Sequence, residues 1–160
     1  MSIEKVREYL KKYGRENDIM EFDQSSATVE LAAKAIGCEP ERIAKSITLK
    51  LPDETPIMIV AAGNAKIDNH KYKSFFGTKA KMLGYDEVEP LIGYAVGGVC
   101  PFAVNSGVRI FLDESLKAFD YVYPAAGSQN SAIKLSIDEL CDLAKPEGWA
   151  DVCKLPQSEL

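Results

Sequence analysis

The stretch Ile43-Ala-Lys-Ser-Ile-Thr-Leu-Lys-Leu51, with the following Pro52-Asp-Glu-Thr-Pro56 and Ile57-Met-Ile-Val-Ala-Ala62, decides the fold. Its first segment alternates apolar and polar residues, which is typical of a half-buried β-strand. The second segment is rich in turn-forming residues. The third is apolar throughout, as expected of a buried strand. Together the three segments predict a β-hairpin.

Lys45 has an unusual place in the first of these strands. It falls on the same parity as Ile43, Ile47 and Leu49, so its side chain is predicted to point inward with the apolar ones. A buried ammonium group is costly unless an anion pairs with it. Lys45 is therefore a candidate for binding an anionic ligand.

Helix and strand signals surround the hairpin without a regular strand–helix–strand repeat. Helices are predicted at residues 3–13, 25–36 (capped by Ser25 or Ser26), 68–76, 86–92 and 137–144. Further strands are predicted at residues 19–22, 80–83, 109–112, 121–123 and 132–135. This irregular order favours an α+β domain over a doubly wound sheet. At 160 residues, the chain (1–160) is expected to form a single domain.

The overall composition limits the possible locations and partners. Hydrophobic residues make up 46% and charged residues 27%, as in ordinary globular proteins. No apolar run approaches the roughly 20 residues that cross a bilayer, and the charged N-terminus lacks a signal-peptide core. We therefore expect a cytoplasmic protein without a membrane partner. A net charge of −5 argues against broad binding to a nucleic-acid backbone, so DNA is not expected as a partner.

A local cluster of positive charge leaves room for contact with a short single-stranded end. Between residues 66 and 81 there are five lysines and His70, against one acidic residue, Asp68. Such a cluster is usually a solvated face. The alternative is a nucleic-acid contact through Lys66, His70, Lys71 and Lys73.

The strongest local functional signal is the loop Gly97-Gly-Val-Cys-Pro101. Two glycines allow backbone conformations closed to other residues and let a ligand approach the main chain. Such a loop can direct N–H groups at an oxygen that gains negative charge. The other interpretation is a plain tight turn.

Nucleophilic and metal chemistry have weak support. His70 is the only histidine, so any Ser–His or Cys–His site would have to use it. Cys100 is a candidate nucleophile, although a free cysteine more often packs as a small apolar residue. Without a cluster of ligating residues, neither a metal site nor a metal cofactor is predicted. The four cysteines are expected to be free thiols.

Four segments in this order resemble the YbaK/ProX (YbaK/EbsC) family of stand-alone aminoacyl-tRNA deacylases, which is similar to the editing domain of bacterial prolyl-tRNA synthetases. The resemblance covers about residues 3–143. Its segments are Val29–Gly37, Ile43–Ser46, Gly93–Pro101, and Ala126-Gly127 leading to Ile133-Lys-Leu135.

This resemblance implies a fold and an activity. The fold would be a mixed, strongly curved or barrel-like β-sheet flanked by helices, without cofactor or metal. The activity would be deacylation of mischarged tRNA, with proline-accepting tRNA that carries a small wrong amino acid as the expected substrate. Lys45 would grip the phosphate or terminal adenosine of the tRNA 3′ end. The backbone of the loop, with Gly97, Gly98 and Pro101, would hold the aminoacyl group.

The resemblance also implies a set of substrate-binding residues: Phe22, Thr28, Ser46, Val99, Cys100, Gly127 and Ser128. The branch of the family that clears cysteinyl-tRNA has bulky aromatic residues where this chain has Phe22 and Thr28. Thr28 departs from that pattern, so alanine, serine, threonine or a small non-protein amino acid remain open.

Two other functions remain open at this point. One is a non-catalytic module that binds tRNA or a synthetase. The other is a thiol hydrolase that uses Cys100. The expected partners of a deacylase are the aminoacyl-tRNA 3′ end and, as an additional candidate, an aminoacyl-tRNA synthetase.

Overall fold

The computed structural model describes residues 2–156. The described helices are α1 (Ser2–Lys11), α2 (Val29–Ile36), α3 (Asn69–Phe76), α4 (Tyr85–Ile92) and α5 (Ile137–Ala144). The described strands are β1 (Met20–Glu21), β2 (Ile43–Lys50), β3 (Pro56–Ala62), β4 (Lys66–Ile67), β5 (Arg109–Asp113), β6 (Tyr121–Pro124), β7 (Ser131–Ala132), β8 (Leu135–Ser136), β9 (Gly148–Ala150) and β10 (Cys153–Lys154). None of these helices is long and apolar enough to span a membrane.

Six strands form one mixed sheet in the order β8-β6-β2-β3-β5-β9, which curls into a half-barrel. Its centre is the predicted hairpin of β2 and β3, which pair antiparallel with Lys45 opposite Ala61. Strands β5 and β6 pair parallel to β3 and β2, respectively. Two short ribbons, β1–β7 and β4–β10, complete the strands. The predicted fold class, a mixed and strongly curved sheet flanked by helices, is confirmed.

The central hairpin separates two apolar clusters. Met58 and Val60 of β3 belong to the larger cluster, which includes residues of α1, α4 and α5. Leu49 and Ile57 belong to the other, which contains Tyr72 of α3. Because β3 is buried on both faces, its apolar run needs no polar alternation.

Local capping signals set most helix ends. Asp68 and Ser136 cap α3 and α5, each through a side-chain oxygen that accepts a backbone N–H. Helix α2 differs from the prediction: Thr28 caps it, and neither Ser25 nor Ser26 does. The hydroxyl of Ser26 instead donates to the carbonyl of Gln129, which ties the segment before α2 to a distant loop.

Two strand predictions were wrong in extent. Residues 80–83 do not form a strand; only an isolated bridge joins Met82 to Leu49. The predicted strand at 132–135 is split into β7, which pairs with β1, and β8, which pairs with β6. Between them, buried Ile133 donates its N–H to the carbonyl of Pro124, so the chain leaves one ribbon and joins the main sheet.

Candidate active site

A pocket of about 430 Å³ opens between α2, strand β2 and the loop that follows α4. The segments that form its walls are residues 26–29, 43–48, 83–88 and 96–99, together with parts of 123–132. Five of the predicted site residues line it: Thr28, Lys45, Ser46, Gly97 and Val99. The hairpin and the glycine loop, far apart in the chain, therefore meet at one cavity.

Among the described residues that line the pocket, Lys45 is the only Lys, Arg, Asp, Glu or His. Its side chain is half-buried, and its Nζ donates one hydrogen bond of 3.2 Å, to the carbonyl oxygen of Gly63. Burial lowers the pKa of this ammonium, and nearby Lys66 lowers it further. No carboxylate of residues 2–156 accepts a hydrogen bond from it, so Lys45 retains donors for an anionic ligand.

Gly63 holds this carbonyl in place because no larger residue fits there. A Cβ atom on Gly63 would lie 2.0 Å from the carbonyl oxygen of Pro40 and 2.9 Å from Cγ1 of Val29. Such a contact with backbone requires the chain to move. The close approach of strand β3 to the segments around α2 therefore depends on glycine at this position.

The glycine loop forms a tight turn over residues 95–98. The N–H of Gly98 donates to the carbonyl of Ala95 at 3.0 Å, and Gly97 has a φ of +95°. A positive φ at the third residue, with none at the second, is the pattern of a type II turn. The N–H groups of Gly97 and Val99 have no acceptor among the described residues. The N–H of Gly98 is used within the turn, whereas Gly97 and Val99 both line the pocket.

A supporting layer lies behind the turn. A Cβ on Gly98 would lie 3.0 Å from backbone atoms of Gly127 and from Cα of Ser128. The hydroxyl of Ser128 forms a 2.6 Å hydrogen bond with that of buried Ser131. Pro101 is also buried. Gly98, Pro101, Gly127 and Ser128 do not line the pocket, and the close contact of Gly98 with Gly127 and Ser128 supports the turn.

Cys100 also belongs to this layer. Its side chain is fully buried in the larger core cluster, with Sγ 3.9 Å from the carbonyl oxygen of Phe102. Burial raises the pKa of the thiol to about 12, so the thiolate is scarce at neutral pH. His70 is exposed on α3 and does not line the pocket. Cys100 does not line the pocket either, so the structure does not bring Cys100 and His70 together there as a nucleophile and its base.

Phe22 is the other substrate-binding prediction that the pocket does not include. Its backbone pairs with that of Asn130, with N–H to carbonyl at 2.8 Å. The Nδ2 group of Asn130 donates back to the carbonyl of Phe22 at 2.9 Å. Phe22 therefore extends the short β1–β7 ribbon and does not line the cavity.

The predicted cationic contacts divide into engaged and available groups, and none of them lines the pocket. The Nζ of Lys71 is 3.1 Å from both a carboxylate oxygen of Asp151 and the carbonyl of Cys153. Lys66, His70 and Lys73 are exposed. Among them, Lys66 is close enough to Lys45 to affect its pKa.

Sequence reasoning missed several wall residues. Tyr85, Tyr123 and Ser131 line the pocket, although no motif marks them. Tyr85 is the first residue of helix α4, and no local sequence pattern distinguishes it as a wall residue. The Oγ atom of Ser46 is buried without a hydrogen-bond partner in residues 2–156, which suits a ligand group.

One largely apolar pocket within a curled mixed sheet is lined by a lysine and by residues whose backbone N–H groups have no acceptor among the described residues, and this combination defines a class of site. Residues 23–143 match the model of the aminoacyl-tRNA editing domain. The chain belongs to the aminoacyl-tRNA editing domain family.

Individual relatives extend this comparison. The chain is 49% identical over 154 residues to the uncharacterised protein YwhH of Bacillus subtilis (strain 168), covering 96% of this chain and 98% of that protein. It is 24% identical over 123 residues to the "Putative Cys-tRNA(Pro)/Cys-tRNA(Cys) deacylase EbsC" of Enterococcus faecalis (strain ATCC 700802 / V583), covering 76% and 75% of the two chains.

A solved structure shares the architecture. It is described as the "crystal structure of a putative trans-editing enzyme for prolyl tRNA synthetase" and superimposes with a TM-score of 0.84. The two sequences are 27% identical, and the match covers 96% of this chain and 97% of the other.

In residues 2–156 no group of three or more His, Cys, Asp or Glu residues could hold a metal ion.

Proposed function

We propose that this protein is a trans-editing hydrolase that removes a small, wrongly attached amino acid from proline-accepting tRNA. The observation that carries the proposal is the pocket, in which unpaired Lys45 shares a cavity with the free N–H groups of Gly97 and Val99. Membership of the editing-domain family supports the reaction class. The solved structure named for prolyl-tRNA synthetase supports the choice of tRNA.

The pocket suits the aminoacyl ester at the 3′ end of a tRNA. Lys45 supplies the charge that a phosphate next to the terminal ribose requires. The N–H groups of Gly97 and Val99 are donors for the ester carbonyl oxygen as it becomes negative. The hydroxyl of Ser46 is an unpaired partner for a polar group of the amino acid or the ribose.

Water is the nucleophile in this proposal. It attacks the ester carbonyl carbon, the bond from that carbon to the ribose oxygen breaks, and the ribose oxygen takes a proton. The products are the free amino acid and deacylated tRNA. Because the pocket contains no His, Cys, Asp or Glu among its described lining residues, the neighbouring ribose hydroxyl is the group available to position the water.

Small wall residues favour a small amino acid. Five alanines line the cavity: Ala27, Ala32, Ala44, Ala125 and Ala132. Valines at positions 29, 88, 96 and 99 leave the walls apolar. Alanine, serine, threonine and small non-protein amino acids fit this composition. Cysteine, which the printed name of the Enterococcus protein associates with that protein, is included in the test.

The experiment is a deacylation panel. Purified protein is mixed with proline-accepting tRNA charged with alanine, serine, threonine, cysteine or proline, and loss of the ester is followed over time. We expect fast hydrolysis of at least one small wrong amino acid and none of prolyl-tRNA. The Lys45→Ala variant serves as the inactive control.

Two results would contradict the proposal. Tight binding of tRNA without hydrolysis of any ester would indicate the non-catalytic binding module. Hydrolysis that disappears on alkylation of the cysteines but survives in Lys45→Ala would indicate the thiol hydrolase.

A further inference from the structure

Tyr85 has the most exposed large apolar side chain of the described residues, at 80% relative accessibility. It nevertheless lines the pocket, so it lies at the mouth of the cavity. Val96, 42% exposed, lines the mouth from the glycine loop, and Met82, 56% exposed, lies three residues before Tyr85. Single exposed apolar residues are common, but a group at the entrance of a cavity indicates contact with a ligand.

The backbone under Tyr85 is held firmly although its ring is exposed. Tyr85 is the first residue of α4, whose N-terminus is fixed by a hydrogen bond of 2.8 Å from the N–H of Gly84 to Glu87. The other oxygen of Glu87 accepts from Lys50 of strand β2 at 2.5 Å. Val88, one turn further, is buried in the core. The backbone that carries the ring is therefore already ordered, which lowers the entropy cost of binding a ligand.

Lys45 and Tyr85 line the same pocket and are linked through strand β2. Thr48 lies three positions after Lys45 on this strand, a rise of about 10 Å. The carbonyl of Thr48 accepts the N–H of Leu83 at 3.1 Å, and Leu83 leads directly to Tyr85. The terminal ribose of an aminoacyl-tRNA carries a phosphate, an aminoacyl ester and a base. The pocket offers a cation for the phosphate, N–H donors at Gly97 for the ester and an aromatic ring at its mouth for the base.

We propose that Tyr85 is the stacking platform for the terminal adenine of the tRNA. This inference rests on the proposed function, because it assumes that the aminoacyl group occupies the cavity beneath. An exposed aromatic ring beside a cationic site is the usual way in which proteins hold an unpaired base. Tyr85 would then act as a positioning residue that holds the nucleoside while the backbone donors act on the ester.

The first test measures binding without hydrolysis. The probe is an uncharged RNA hairpin with the acceptor stem of proline-accepting tRNA, in which 2-aminopurine replaces the terminal adenine. We expect a fluorescence change on binding to the wild type and to Tyr85→Phe. In Tyr85→Ala we expect the change to disappear and the Kd to rise by about tenfold to a hundredfold, as for loss of one base stack.

The matched control is Tyr13→Ala, which removes a tyrosine that is 37% exposed and does not line the pocket. It should bind the hairpin like the wild type. Thermal unfolding of both alanine variants should be cooperative, because neither ring is fully buried. A normal fluorescence change and normal Kd in Tyr85→Ala would overturn the inference and favour a protein partner for this ring.

The second test uses the mischarged substrate and separates this inference from the proposed function. We expect Tyr85→Ala to raise KM by about tenfold or more while kcat at saturation stays near that of the wild type. Wild-type hydrolysis with an unchanged KM in Tyr85→Ala would overturn the role of Tyr85 alone. A wild type that hydrolyses no ester but shows the Tyr85-dependent fluorescence would overturn the proposed function and leave an adenine site.

Discussion

Lys45 combines features that rarely occur together at one residue. Its ammonium is half-buried and has one backbone hydrogen bond, and burial lowers its pKa. Because that pKa is lower in the folded chain than in the unfolded one, the charged ammonium costs stability at neutral pH, and the cost is relieved only as the pH rises through the lowered pKa. A residue that is retained at a cost to folding is expected to act on a ligand.

We expect Lys45→Ala to abolish deacylation and to keep the fold, with a melting temperature equal to or above that of the wild type. Single-turnover hydrolysis and thermal unfolding check this. Lys5→Ala is a matched control, because Lys5 also donates from a partly buried position to a glycine carbonyl, that of Gly93 at 2.9 Å, outside the pocket. Lys5→Ala should lose stability but keep its rate, and normal turnover by Lys45→Ala would refute the assignment.

The lowered pKa of Lys45 also predicts a pH dependence of binding. A phosphate binds the charged form, so the affinity of the free protein for uncharged tRNA should fall as Lys45 loses its proton. Because the pKa lies below the usual lysine value, this loss should begin at a lower pH than for an ordinary lysine. Binding titrations from neutral to alkaline pH would detect it. In Lys45→Arg, which stays charged, the decline should be absent over the same range.

For Cys100 we expect the opposite of the Lys45 result, namely that its substitution leaves the hydrolytic rate largely unchanged. Its thiol is buried and its pKa is raised to about 12, so it cannot supply a thiolate at neutral pH. We expect Cys100→Ser to keep most of the hydrolytic rate, with some loss of stability because a hydroxyl replaces a thiol in an apolar core. Rate and melting temperature should be measured together. A drop in rate as large as that of Lys45→Ala would support a covalent thiol mechanism.

At the scale of elements, the proposed chemistry depends on the turn at residues 95–98. Gly97 has a φ of +95°, and a Cβ there would lie 3.1 Å from Cγ of Gln129 and 3.2 Å from Cβ of Ala27. An alanine would therefore shift the turn and its two free N–H groups. We expect Gly97→Ala to lower the rate by about a hundredfold to a thousandfold, the usual effect of losing one donor to an oxyanion, while tRNA binding stays near normal.

Gly107 offers a control for backbone strain. Its φ is +93°, almost that of Gly97, but nothing lies within 4 Å of a Cβ built there, and it does not line the pocket. Gly107→Ala should lose stability from the same unfavourable φ without loss of rate per folded molecule. If both variants hydrolysed the ester normally, the turn at Gly97 would have no catalytic part.

Elements with local signals could be predicted from the sequence, whereas elements fixed by distant contacts could not. Asp68 with Gly77 marks α3, and the alternation of β2 marks the hairpin, because capping and periodicity are properties of neighbouring residues. Residues 80–83 have strand composition, yet a single bridge to Leu49 is all the pairing that they find. Their conformation depends on the edge of β2, which the sequence does not reveal.

The same distinction explains the site. Lys45 and Gly97 could be predicted to line the pocket because each departs from a local pattern. Lys45 is a charged residue among the apolar residues of a strand, and Gly97 belongs to a glycine pair close to a proline. No local sequence pattern shows whether a residue such as Phe22, Cys100 or Tyr85 lines the pocket, lies in the core or is exposed on the surface. Their places depend on how the β1–β7 ribbon and α4 pack around the hairpin.

At the scale of the whole molecule, the charge is unfavourable for binding RNA. The net charge is −5, and the available cation near the pocket lysine is Lys66. Each phosphate of a single strand that a cation neutralises contributes about 0.7 to the salt slope. With two such contacts, we expect log K for the uncharged tRNA to fall with log salt at a slope of about −1 to −2. Titrations between low and moderate salt check this.

A much steeper slope would mean that the protein contacts many phosphates through an extended basic surface and therefore recognises the body of the tRNA. A shallow slope, by contrast, limits the contact to the 3′ end.

The bond between Lys45 and the carbonyl of Gly63 has a consequence for how the site can change over generations. A main-chain oxygen is present whatever side chain a position carries, so the acceptor of this ammonium cannot be lost through any substitution that leaves the strand in place. The vulnerable point is the missing side chain, since even a methyl group at position 63 collides with Pro40. Substitutions in the pocket walls can therefore change the shape of the cavity while the acceptor that orients the lysine stays in place.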